Sequence, residues 1–177
     1  MNKQEIIIWC DKYNKEEDSY NKNAEDALRS KFQINKCFSK EDLIRVVKWK
    51  FQGRLEGRQK RIIKLLKDTD EKFILKLSKF AFSIDDDRTR IKLLCTIDGV
   101  GSALASTLLT FYDPNNYGVF DIHAWRELFG KEANSLFTND RNVLRFFGRL
   151  RDIARENKMP CRDVEKALFK KNITQKL

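Results

Sequence analysis

The stretch Ile97-Asp98-Gly99-Val100-Gly101-Ser102-Ala103-Leu104-Ala105 holds the sharpest local signal in the chain. Two glycines around Val100 turn the backbone between two helical patterns. Such a turn leaves backbone N–H groups free at the start of the second helix, and the helix dipole adds positive potential there, so the place suits a backbone phosphate. Gly99, Val100, Gly101 and Ser102 are the candidate phosphate contacts. Ala103, Ala105 and Ser106 are small enough to let two helices approach closely. A plain helix–helix turn would use the same residues. Downstream, the apolar run Tyr117-Gly118-Val119-Phe120 leads into Asp121-x-His123-x-x-Arg126. An aspartate at that place is a favoured N-cap for the helix that follows. His123 is the one histidine in the chain. A Ser–His or Cys–His nucleophilic scheme would have to pass through it, and the pattern favours neither. His123 and Arg126, at i, i+3 on one helix face, are expected to support the motif.

With both motifs on one chain, the sequence resembles the helix-hairpin-helix DNA glycosylases of the endonuclease III-like superfamily. The close match covers residues 97–126, and Ala103 lies 18 residues before Asp121, the spacing those enzymes use. The remainder matches only in size and helical character. The resemblance implies that Asp121 is the catalytic carboxylate, facing the sugar of a nucleotide flipped from the duplex. Breaking an N-glycosidic bond builds positive charge on C1′ and O4′, which a fixed carboxylate stabilises while orienting the attacking water. N-capping and catalysis can coexist at one helix start. Bifunctional members carry a hairpin lysine that attacks C1′, and that position is Ala103 here. The resemblance therefore implies a monofunctional glycosylase without strand cleavage, or a non-catalytic helix-hairpin-helix DNA-binding module. Asp98 replaces a common hairpin proline and puts an acid near the presumed phosphate. The iron–sulfur motif of some members is absent, so no cofactor is expected, although a monovalent cation at the hairpin fits the resemblance.

The densest basic run is Arg45, Lys48, Lys50, Arg54, Arg58, Lys60, Arg61 and Lys64, opposed only by Glu56. Trp49, Phe51 and Gln52 interleave with it, and Gly53 and Gly57 permit a tight turn. Lys48, Lys50, Gln52, Arg54 and Arg58 are the residues expected to meet DNA, with Gln52 or Phe51 as a wedge where the flipped base was. A solvated basic helix with Trp49 in the core is the alternative. Arg141, Arg145, Arg149, Arg151 and Arg155 read as a solvated helix face that steers at long range.

Helices must position these groups. Gly and Pro number only 7 and 2 in 177 residues, too few for a fold rich in tight turns. Apolar periodicity marks nine or ten helices and no strand. A polar stretch, Asn14 to Asn23, reads as an exposed crossing between the first two. The expected fold is all-α and two-lobed. One lobe spans 22–112 and ends in the hairpin at 88–112; the other combines 1–21 with 113–177 and places Asp121 in the cleft between them, an arrangement the resemblance implies. Lys and Arg exceed Asp and Glu by 36 to 26, a net charge of +10 that favours a polyanionic partner. Double-stranded DNA is the expected partner of a monomer; an RNA-binding reading explains the charge but not the Asp121 motif. No run approaches the ~18 apolar residues of a membrane helix. No secretory signal is recognised either, so the cytoplasm, or the nucleoid, is the expected location. Cys10, Cys37, Cys95 and Cys161 are too scattered for a zinc or iron–sulfur site and read as buried small hydrophobes.

Overall fold

The computed structural model describes residues 1–52, 56–130, 136–138 and 140–175, without the side chain of Tyr20. Among the described residues the chain forms ten helices and no strand. They are α1 (Lys3–Glu16), α2 (Ser19–Asn35), α3 (Lys40–Lys50), α4 (Glu56–Asp68), α5 (Glu71–Ser83), α6 (Asp87–Leu94), α7 (Ser102–Tyr112), α8 (Ile122–Phe129), α9 (Asp140–Asn157) and α10 (Cys161–Thr174). None is long and apolar enough to cross a membrane.

Short polar side chains set many of the starts. Asn2 accepts the Glu5 N–H at 3.0 Å to open α1. Ser39 and Asp42 form a reciprocal capping box on α3, each side chain accepting the other's backbone N–H at 3.1 and 3.0 Å. Asp70 caps α5, and Asp86 caps α6, as the acidic run 85–87 leads one to expect. Pro160 stands one place before α10, its φ of −61° already suited to a helix start.

The polar stretch 14–23 is exposed at most of its positions, as expected: Lys15, Glu16, Asp18, Ser19, Lys22 and Asn23 are all exposed. α1 runs to Glu16 and α2 restarts at Ser19. Two of its side chains reach α10, where Lys166 Nζ donates to Asn14 Oδ1 at 3.1 Å and Lys170 pairs with Glu16.

Buried apolar side chains from Ile6 to Leu168 form one contiguous cluster. Phe82 stacks on Tyr112 with ring centroids 4.0 Å apart, and Phe32 and Phe38 join them at the end of α7. α7 is buried at every position from Ser102 to Phe111 and packs against α2, α3, α6 and α9. A helix apolar or small on all sides belongs in a core, and the alanines and serines of α7 let its neighbours close around it. Of the four cysteines, Cys10 and Cys161 are buried as expected. Cys37 is half-buried and Cys95 exposed, because they follow the ends of α2 and α6 at the surface.

A charged cluster lies inside this apolar frame. Arg162, 2% exposed, donates Nε and Nη2 to the two carboxylate oxygens of Glu25 at 3.0 and 2.7 Å, and also binds Glu165. Its guanidinium sits over the rings of Tyr13 and Trp49 at 5.6 and 5.5 Å. Burial pushes the Glu25 carboxyl up, but the charge and hydrogen bonds of Arg162 outweigh burial and hold it at about 2. In Glu165 burial prevails and the carboxyl is raised.

The low Glu25 pKa has a stability consequence. Its folded-state value lies below the ordinary 4.5, so its stabilisation is complete above that pH and is lost as pH falls towards 2. Glu25→Gln should lower stability at pH 7 by on the order of 3 kcal/mol, since each tenfold change in proton affinity corresponds to about 1.4 kcal/mol. Urea unfolding from pH 7 to pH 3 should show the deficit shrinking with acid. A deficit constant across that range would mean the carboxylate charge is not what matters.

Candidate functional site

The segment between α7 and α8 is tied down residue by residue. Asp113 Oδ1 accepts the N–H groups of Asn115 and Asn116 at 3.2 and 3.3 Å, closing a turn with Pro114. Tyr117 then drops into the core beside Phe147 and donates its hydroxyl to Asp87 Oδ1 at 2.6 Å. Arg151 holds the same carboxylate, so this arginine of the expected solvated face is instead part of the scaffold. The Val119 N–H donates to Glu165 Oε2 at 3.3 Å, and the Phe120 N–H to Ser106 Oγ at 2.9 Å. Three elements, α6, α10 and α7, thereby fix the backbone that ends at Asp121.

Asp121 is the N-cap of α8. Its Oδ1 accepts the His123 N–H at 2.8 Å, and its side chain keeps 24% of its surface exposed. The other oxygen, Oδ2, lies 3.9 Å from Lys50 Nζ. Lys50 is the last residue of α3 and is only 11% exposed. It therefore departs from the surface role expected of it: Lys48, two residues earlier, is exposed, while Lys50 turns inward to Asp121. Burial pushes the pKa of the Lys50 ammonium below its ordinary value, although the charges of Asp121 and Glu165 oppose that. Glu165, Arg162 and Arg58 complete the charged surroundings of this amine.

His123 Nδ1 lies 3.2 Å from Asn172 Oδ1, and the ring meets Phe169 edge to face at 5.4 Å. These contacts hold α8 against α10. Arg126 is half-buried, and its carbonyl accepts the Gly130 N–H that ends α8.

Across α7, the turn from α6 has Gly99 at φ +86°, a conformation that side chains rarely adopt. A Cβ there would meet Ile62 Cγ2 at 3.2 Å and Leu65 Cδ1 at 3.5 Å, so the turn rests directly on α4. Gly101 caps α7 without a side-chain bond, is exposed, and has open space where its Cβ would be. Val100 is 5% exposed and belongs to the core. The Ser102 hydroxyl donates to the Phe137 carbonyl at 2.7 Å and so serves packing. Of the hairpin candidates, then, Gly101 is exposed and Gly99 half-buried, while Val100 and Ser102 are buried. The Ile97 carbonyl accepts the Val100 N–H at 2.9 Å and is already engaged within the turn. No group of three or more potential metal-ligating side chains occurs among the described residues.

Gln52 is exposed, whereas Phe51 is 7% exposed and packs in the core under the guanidinium of Arg58, 5.3 Å from its ring centroid. Gln52 is left as the wedge candidate. Arg58, Lys60, Arg61 and Lys64 lie along the α4 that supports Gly99; Gly53 and Arg54 lie outside the described residues. A surface hollow of about 490 Å³ beside Asp11 and Lys12, and another of about 530 Å³ between Asn116, Arg151 and Lys158, are both lined by other residues than Asp121.

No family model, curated protein or solved structure matches the chain. The chemistry of the site therefore rests on its geometry. Three groups of it carry no motif in the sequence: Glu165, Arg162 and Ser106. Arg162, Glu165 and Lys166 recur at helical spacing, as a solvated stripe would.

Gly118 makes the arrangement possible. A Cβ at that position would stand 2.5 Å from Leu150 Cδ2 and 2.8 Å from Glu165 Cβ, closer than real contacts allow. Gly118→Ala should cost roughly 1–3 kcal/mol of stability through overpacking. Thermal unfolding of the variant checks this; a melting temperature equal to wild type would show that α9 and α10 yield freely around the segment.

Proposed function

We propose that the chain removes a damaged or modified base from double-stranded DNA by hydrolysing its N-glycosidic bond. The observation that carries this reading is the Asp121 carboxylate, fixed by its cap, partly open, and set beside the Lys50 ammonium. A carboxylate held this way can stabilise the positive charge that develops on C1′ and O4′ and orient a water for attack. Position 103 is alanine, so the hairpin itself supplies no amine and water is the nucleophile of excision.

In this reading the 22–112 half and the half made of 1–21 and 113–177 are two lobes, with DNA entering between them. The α6–α7 turn acts as the helix-hairpin-helix element, offering N–H donors at Gly99 and Gly101 to a phosphate. α4 adds Arg58, Lys60, Arg61 and Lys64, and Lys48 and Gln52 stand at the exit of α3. The extra positive charge of the chain supports a duplex partner; in this reading a monomer engages it, in the cytoplasm or nucleoid.

Two measurements test the reading. Asp121→Asn should keep DNA affinity while base release, scored as alkali-labile abasic sites across duplexes with different modified bases, falls by ~10²-fold or more. A folded variant that excises normally would leave only a helix-hairpin-helix DNA-binding module. Affinity for undamaged duplex should fall steeply with salt, with a log–log slope of about −0.9 per phosphate neutralised. Arg58→Ala should flatten it by roughly one unit. Gly101→Asp should weaken binding more, since it puts a carboxylate where the phosphate must approach; wild-type affinity in that variant would reduce the hairpin to a structural turn.

A further inference from the structure

We propose that the outer face of α5 is a docking surface for an acidic amphipathic helix of a partner protein. The inference goes beyond the duplex reading, which uses α3, α4 and the α6–α7 turn. It stands whether or not that reading does.

Two stripes run side by side along α5. Phe73, Leu77 and Phe80 form one at i, i+4, i+7, and Lys72, Lys76 and Lys79 form the other at the same spacing. Ile74, Ser78, Ala81 and Phe82 take the core-facing side, which leaves the two stripes at the surface. Phe73 is 42% exposed and Phe80 57%. Leu77, between them, is half-buried and packs on the core, so it makes the floor between two protruding rings. One exposed apolar side chain is ordinary; two rings aligned over a leucine make a strip. The platform is also stiff. Asp70 caps α5 by accepting the Phe73 N–H at 2.7 Å, and Ser78 Oγ accepts the Phe38 N–H at 3.1 Å from beneath. The fold itself calls for neither stripe. Lys72 sits in the first turn, where the helix dipole disfavours a cation, and Lys72 and Lys76 repel across one turn. Glu71, the single acid of α5, already accepts the Lys40 backbone N–H at 3.2 Å. None of the three lysines has a carboxylate partner among the described residues. Exposed Arg45 on α3 and Lys60 on α4, by contrast, pair with Glu41 and Glu56 one turn away.

These features select the occupant. Apolar side chains spaced by four and then three meet the seam of a packed helix, and the charges beside the seam choose the charge of the partner. Three uncompensated lysines along one edge therefore call for Asp or Glu along the facing edge. A second copy of this chain is a poor occupant, because two molecules of net charge +10 repel. A single strand of nucleic acid would use the lysines and the rings but gain nothing from Leu77. An anionic membrane would need a broader apolar face than one strip two turns long. Phe73 and Phe80 stand about 10 Å apart along the helix axis. The contact is thus small, and the complex is a transient one of micromolar affinity.

The test uses the full chain and a fluorescein-labelled synthetic peptide with leucines at heptad positions a and d and glutamates beside them, read by fluorescence anisotropy. Wild type should bind this peptide with a micromolar Kd, and a lysine-flanked version at least ~10-fold more weakly. Phe73→Ser with Phe80→Ser should cut affinity at least ~10-fold, since both rings are anchors of the contact. The melting temperature should hold, because neither ring belongs to the core. Lys76→Glu with Lys79→Glu should reverse the preference, so that the lysine-flanked peptide binds better. Misfolding cannot produce such a reversal. Three results overturn the proposal: no binding of the acidic peptide by folded wild type, undiminished binding by the serine variant, or no reversal by the glutamate variant. Self-association of wild type, or its binding to a single-stranded oligonucleotide or to phosphatidylglycerol vesicles, overturns it as well if the serine variant loses that property. The face would then belong to that occupant instead.

Discussion

One guanidinium holds two buried carboxylates together, and the arrangement around Asp121 depends on it. Arg162 spans Glu25 on α2 and Glu165 on α10. Either carboxylate alone in that interior would be driven to its neutral form, since moving a charge out of water is far costlier than one ion pair returns. Glu165 in turn accepts the Val119 N–H, two residues before Asp121. The cluster thus does more than balance charge: it connects the second helix, the last helix and the segment that carries the candidate carboxylate. Substituting Arg162 by an apolar residue would leave Glu165 without the partner that aims it.

α7 is the other half of that support, and it works by size instead of charge. Ala103, Ala105 and Ser106 present almost no side chain, so neighbouring helices close on the backbone itself. Ser106 uses its hydroxyl twice, donating to the Ala103 carbonyl at 2.8 Å and accepting the Phe120 N–H at 2.9 Å. A buried polar group that is fully engaged costs little and specifies register. The turn before α7 and the carboxylate after it are therefore set by a single rigid helix.

Much of the scaffold was legible in the sequence because its signals are local. Ser39 with Asp42, the acidic run at Asp86, and Asp121 before an apolar helix each announce a helix start through chemistry completed within three residues. What was illegible depends on partners far away in the chain. Lys48 and Lys50 look alike in a basic run, yet one is solvated and the other faces a carboxylate 71 positions later. Arg162 and Glu165 have the spacing of a wet stripe, and only the 137-residue reach to Glu25 distinguishes them. Phe51, read as a wedge, is a core residue because α3 ends one position before it and its ring is covered by Arg58. Helical periodicity identifies which residues share a face; it carries no information about what that face meets.

The N-cap role of Asp121 has an effect on timing. A surface aspartate samples several rotamers, and a ligand that needs one of them must freeze the others out on arrival. Here the bond from the His123 N–H to Oδ1 selects the rotamer as soon as α8 forms. The rotational entropy of this carboxylate is surrendered during folding, before any substrate is present. Its second oxygen is consequently preorganised, aimed by a helix terminus whose own stability keeps it there.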